Sequence, residues 1–162
     1  MSALTEIRRE PIDFHAIASE SDDVRRAHFV RMFKPRFAAL VESGAKLQTV
    51  RPKPKRMPQA GDAISLRCWT GLPYRSKQRV LREATISQVS EIVIAAEGIS
   101  PIRVEPLGTS GALNYWPSPD VFAHADGFAD WPEMREWFAT THGLPFAGII
   151  IFWDTSEEAR KK

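Results

Sequence analysis

The sequence predicts an α+β protein: a small, mostly antiparallel β structure with flanking helices, or a β-barrel with added helices. Three observations predict it. Residues 63–69 (AISLRCW) alternate cleanly, with Ile64, Leu66 and Cys68 on one face and Ser65, Arg67 and Trp69 on the other. Residues 78–94 carry β-branched side chains in alternation, and residues 146–153 (FAGIIIFW) form one apolar run of strand length. Between them, residues 118–143 show two helix starts and no strand pattern. With 162 residues and no repeat or interdomain linker, the chain is expected to fold as one domain.

The elements follow in order. Residues 1–21 show little periodicity and read as an arm or a short packed helix. Ser21-Asp22-Asp23 can cap a helix through about Met32, with Val24, Ala27, His28 and Arg31 at helical spacing. Phe33-Lys34-Pro35 is extended, because a residue before proline is biased away from helix. Residues 36–43 (RFAALVES) read as a helix with Phe37, Leu40 and Val41 on one face, stopped by Gly44. Residues 46–51 alternate as a short strand. The prolines at 52, 54 and 58 then exclude a central strand or helix, and Gly61-Asp62 turns the chain into strand 63–69.

Thr70-Gly71-Leu72-Pro73 is a turn, and residues 78–94 supply two strands or one long bent one. A shorter strand is expected over residues 102–107. Ser118-Pro119-Asp120 opens a helix that ends at Gly127, and Asp130-Trp131-Pro132-Glu133 opens a second that stops near Gly143. The strand at 146–153 closes the domain. Residues 1–30 are therefore expected as an N-terminal arm, 31–154 as the domain, and 155–162 as a solvated tail.

Composition excludes several classes. No apolar run approaches the roughly 20 residues that span a bilayer, and MSALTEIRREPIDF has charges where a signal peptide needs an apolar core. The chain reads as cytoplasmic, without a membrane partner. One cysteine, Cys68, cannot form an internal disulfide or a paired metal knuckle, and it lies on the apolar face of its strand. The histidines at 15, 28, 124 and 142 are scattered, so no metal is assigned. No phosphate loop, dinucleotide fingerprint or nucleophile elbow is present, and no cofactor is expected.

The net charge of +2 hides an asymmetry. Residues 31–82 hold thirteen Lys and Arg against only Glu42 and Asp62, a balance of +11, and the rest of the chain carries −9. A basic segment of this kind is a candidate surface for a polyanion; dispersed surface cations are the alternative. In residues 51–56, Arg51, Lys53, Lys55 and Arg56 are held apart by prolines, which suits a phosphate backbone. Arg75, Lys77 and Arg79 alternate with Ser76, Gln78 and Val80, which predicts three cations on one strand face. Trp69 and Tyr74 bracket the adjoining turn. Cations beside aromatic rings fit single-stranded RNA, with bases on rings and cations on phosphates; for Trp69 a core position is the alternative. The five tryptophans (69, 116, 131, 137, 153) are read as mostly core.

Within GAKLQTVR, Thr49 and Arg51 share a strand face and Lys46 lies opposite, so the chain must bend near Gly44 for Lys46 to join them. A lysine in a low-dielectric cleft has a lowered pKa and can act as a base, and a threonine can be the nucleophile. Asp126, singled out by the family resemblance described next, would then orient the lysine or protonate a leaving amine. The alternative is a Lys46–Asp126 ion pair with Thr49 bonded to backbone.

These segments also resemble a known family. Gly44, Lys46, Thr49 and Arg51, followed by Gly61 and Asp62 before an apolar strand, resemble the G-x-K-x-x-T-x-R and G-D blocks of the ASCH domain, a PUA-like β-barrel family. Residues 123–138 (AHADGFADWPEMREWF), with Asp126 as the acid, and GIIIFW resemble its later blocks. CWTGLPYRSKQ resembles phage and prophage members. The resemblance covers residues 31–153 and implies a compact barrel with a cleft lined by Lys46, Thr49 and Arg51, binding RNA or a nucleotide. It also implies two activities: amidohydrolysis of N4-acetylcytidine, with Lys46, Thr49 and Asp126 as the catalytic positions, and ribonuclease activity. The amidohydrolase branch carries glutamate where this chain has Asp126, one methylene shorter.

Overall fold

A computed structural model describes residues 26–100, 103–104, 114–115 and 118–155. The elements are β1 (His28–Phe33), α1 (Pro35–Ser43), β2 (Gln48–Pro52), β3 (Ala63–Trp69), β4 (Gln78–Ala95), β5 (Gly98–Ser100), β6 (Arg103–Val104), β7 (Asn114–Tyr115), α2 (Pro119–Ala125), α3 (Trp131–Thr141) and β8 (Phe146–Thr155). The fold is α+β. Its main sheet runs β1-β3-β4-β8-β2, with β5 paired to β4, and β6 and β7 pair separately. Among the described residues, only β1 and β3 pair in parallel. No helix among the described residues is long and apolar enough to cross a membrane.

Residues 28–33 form a strand where helical spacing predicts a helix, and residues 21–25 lie outside the described residues. The reason is pairing at a distance. Ala27 N–H donates to the Asp62 carboxylate at 3.1 Å, and Ala63 N–H donates to the Ala27 carbonyl at 2.9 Å. Asp62 thus fastens the start of β1 to the start of β3, and His28 through Phe33 then pair in register with Ala63 through Cys68. A helix there would forfeit that ladder. Because β1 begins at His28, the sheet takes in residues expected in the N-terminal arm.

The local signals elsewhere match their elements. Lys34 is extended, α1 starts at Pro35, and Gly44 ends it in the left-handed region with φ 80°. The α1 C-terminus has no basic residue of its own; Arg82 on β4 donates to the carbonyls of Val41 and Glu42 at 3.3 and 2.5 Å. Ser118 and Asp130 cap α2 and α3 by accepting from Val121 N–H and Glu133 N–H. Residues 78–95 are one long strand, irregular where Ile86 and Gln88 meet β8 and where β3 shifts at Leu66/Arg67. Of the strand expected at 102–107, only the short β6 is among the described residues.

Bulges bend strands and increase their twist, and the sheet curls until its two edges approach each other. The Arg51 guanidinium on β2 donates to the Met32 carbonyl on β1 at 2.8 Å. Among the described residues, β1 and β2 are not joined by a backbone ladder, so the expected barrel is an open, curled sheet here. Inside the curl lies one core, with Ile64, Leu66, Ile86, Ile149, Ile150 and Ile151 at 1% exposure or less. Phe122, Met134 and Phe138 of α2 and α3 join the same core. Ser65 shares a face with Arg67 yet is fully buried: its hydroxyl donates to Glu83 at 2.6 Å and accepts from Arg67 at 2.8 Å.

Candidate functional site

Five elements, β1, α1, β2, β3 and α3, line one cavity of about 500 Å³, a size suited to a small organic ligand. The tail of α1 turns sharply at Gly44, and Lys46 N–H closes back on the Leu40 carbonyl at 3.0 Å. This bend precedes β2. It turns Leu47 outward and sends the Lys46 side chain in, where it is 2% exposed. Lys46 therefore reaches the same cavity as Thr49 and Arg51, against the bare alternation of the strand.

Asp126 arrives from eighty residues away. It caps α2, and Gly127, at φ +95°, turns the chain so that Phe128 N–H closes on the Ala123 carbonyl at 2.9 Å. The Asp126 side chain is thereby driven into the interior, 4% exposed. The Lys46 ammonium donates to the Asp126 main-chain carbonyl and lies 3.3 Å from its Oδ1. Oδ1 makes no hydrogen bond of ordinary geometry among the described residues, because the ammonium is directed at the carbonyl. The amide of buried Gln48 lies against this carboxylate and favours its ionised form, yet its Nε2 also closes no such bond.

Burial dominates the electrostatics. It pushes the Lys46 ammonium down from its ordinary value, opposed by the attraction of Asp126. It pushes the Asp126 carboxyl up, opposed by Lys46 and then Arg51. The Arg51 guanidinium is pushed down to about 10, again by burial, and stays cationic at neutral pH. Arg51 Nε donates to Thr49 Oγ1 at 3.2 Å, and its plane lies over the Phe33 ring at 4.9 Å. The floor of the cavity therefore gathers Lys46, Asp126, the cationic Arg51 and the Thr49 hydroxyl beneath apolar walls.

Those walls are aromatic. Phe33, Phe37, Phe128, Trp137 and Phe138 line the cavity with His142, and Trp69 and Tyr74 close its mouth. Lys46 lies over the Phe37 ring at 5.2 Å, and Lys34 at the rim lies over Trp137 at 5.4 Å. Alternation placed Thr49 and Arg51 together, Lys46 needed the bend after Gly44, and Asp126 came from the family resemblance; the ring-lined walls and Lys34 were missed. Their only signal was the recurrence of Phe or Trp beside each family block, which reads equally well as core. Trp137 and Trp69 are half-buried and face the cavity, Trp131 is half-buried, and Trp153 is core at 2% exposure. Trp116 lies outside the described residues.

The wider basic surface is more dispersed than its sequence pattern. Arg75 and Lys77 sit in the turn before β4, so they do not share a strand face with Arg79. Arg79 is ion-paired with Glu42, and Lys53 with Glu91. Lys53 faces a separate depression beside Gly148, away from the cavity. Arg56 lies over Phe29 at 5.8 Å, and Lys55 is exposed. Of the predicted phosphate contacts, Arg51 lines the cavity, and Arg75 and Lys77 lie in the turn that carries Tyr74.

Comparison with protein-family models, with curated proteins and with solved structures finds no match to this chain.

Proposed function

We propose that this chain is an ASCH-like, PUA-type domain that binds RNA or a nucleotide, with one base entering the cavity between β2, α1 and the α2–α3 segment. The single observation that carries this reading is the composition of the cavity: a buried Lys46–Asp126 pair with Arg51 and Thr49 at the floor, and aromatic rings on the walls. A planar heteroaromatic ring satisfies both halves, since its faces stack on the rings and its edge meets fixed donors and acceptors. The side-chain bridge from Arg51 to Met32 supports the barrel-like character of the domain. The cations beside the mouth supply the phosphate contacts.

The test is charge reversal at the mouth. Arg75→Glu with Lys77→Glu lowers the affinity for single-stranded RNA about tenfold at low salt, and flattens the slope of log K against log salt by about 1.4, two phosphate contacts at roughly 0.7 each. Lys53→Ala, whose charge Glu91 already engages, changes the slope by less. Equal effects from the two variants would remove the RNA path from the mouth.

A second reading is hydrolysis of a modified cytidine, or of RNA itself. The observation favouring it is that burial drives the Lys46 and Asp126 pKa values toward their neutral forms, the direction general acid–base work requires. Arg51 donating to Thr49 Oγ1 also stabilises negative charge on that oxygen, as a nucleophile needs. The intact mass of an RNA carrying one N4-acetylcytidine reports this directly. Loss of the acetyl mass or chain fragmentation, abolished in Thr49→Val, is expected of an enzyme; an unchanged mass leaves the binding reading alone.

A further inference from the structure

The mouth of the cavity is built differently from its floor. Tyr74 is 89% exposed, yet its backbone is in the left-handed region at φ 62°. A bulky residue there is a true outlier, and such strain persists only where neighbouring structure enforces it. The enforcement is visible. Thr70 N–H donates to the Lys77 carbonyl at 2.9 Å, and Arg75 N–H to Leu72 at 3.2 Å. The Ser76 hydroxyl donates to the Leu72 carbonyl at 2.8 Å and accepts from Gly71 N–H at 3.0 Å. The Tyr74 ring meets Trp69 at a tilt of 52°, with ring centroids 5.2 Å apart, and is otherwise open to solvent.

A glycine at position 74 would hold the same turn without strain. The turn instead pins an exposed aromatic ring at the lip of an aromatic-lined cavity, with Arg75 beside it. A ligand wholly contained in the cavity has no use for the outer surface of Tyr74. A base attached to the one inside, by a single phosphate, does. We propose that the ligand is a nucleotide within a single strand of RNA, and that Tyr74 is the stacking platform for the neighbouring base while the preceding or following phosphate lies against Arg75. The inference rests on the reading of the cavity as a base-binding site, and makes the substrate a polymer rather than a free nucleoside or nucleotide.

The test compares two sets of probes by titration calorimetry: the four ribonucleoside 5′-monophosphates and the four matching homotetranucleotides. The wild-type chain is expected to bind the best tetranucleotide at least tenfold more tightly than its monophosphate. Tyr74→Ala is expected to lower that ratio about tenfold, the size of one base–aromatic stack, and Tyr74→Phe to restore it. Tyr74→Gly, which relieves the backbone, is expected to raise Tm while still losing the ratio. Equal affinity for tetranucleotide and monophosphate overturns the inference and leaves the base site standing. So does a ratio that Tyr74→Ala does not alter. Absence of binding to every probe overturns the inference together with the base site.

Discussion

Asp126→Ala is expected to destabilise the fold by about 3–5 kcal/mol, roughly 10 °C in Tm for a chain of this size. The variant strands the Lys46 ammonium, 2% exposed, with one main-chain carbonyl and two ring faces for company. Its desolvation cost is then offset by far less attraction. Removing both charges separates this cause from simple loss of volume. Lys46→Met with Asp126→Asn is expected to recover at least half the loss, because no unpaired charge remains, while ligand binding stays abolished. Thermal unfolding of the two variants decides it. A double variant as unstable as Asp126→Ala would mean that charge burial is not the cause.

Gly127→Ala is expected to cost about 2–5 kcal/mol and to weaken ligand binding as well. The residue stands at φ +95°, where a side chain is disfavoured by roughly 1–2 kcal/mol. An added Cβ would also lie 3.0 Å from the Phe37 ring and 3.3 Å from Lys46 Cδ, and overpacking of this kind adds roughly 1–3 kcal/mol. Gly61 provides the matched control: its φ is +92°, and an added Cβ there meets nothing within 4 Å. Gly61→Ala should therefore show the backbone cost alone. If denaturant unfolding gives the same loss for both, the contact with Phe37 and Lys46 is harmless, and Gly127 does not set the position of the floor.

These two experiments probe a site whose residues were legible one at a time. Lys46, Thr49 and Arg51 stand out by type and spacing, Asp126 by the family resemblance alone, and the bend that Lys46 needed could be anticipated from Gly44. The aromatic walls could not, because Phe37, Phe128 and Trp137 at those positions look the same whether they face a core or a cavity. The basic stretch overstated its surface. Glu42 and Glu91, remote in sequence, pair with Arg79 and Lys53, and no local pattern reveals such partners.

The sequence by itself determined the punctuation of this protein. Pro35 and Gly44 delimit α1, Ser118 and Asp130 start α2 and α3, alternation marks β3 and β4, and an unbroken apolar run marks β8, because caps, turns and faces depend on neighbours within a few residues. Tertiary structure alone decided that residues 28–33 are a strand, since their ladder partner begins at Ala63. It decided how far the sheet curls, through Arg51 reaching Met32. It decided that Lys46 meets Asp126, because an ion pair spanning eighty residues depends on the whole core that brings its halves together.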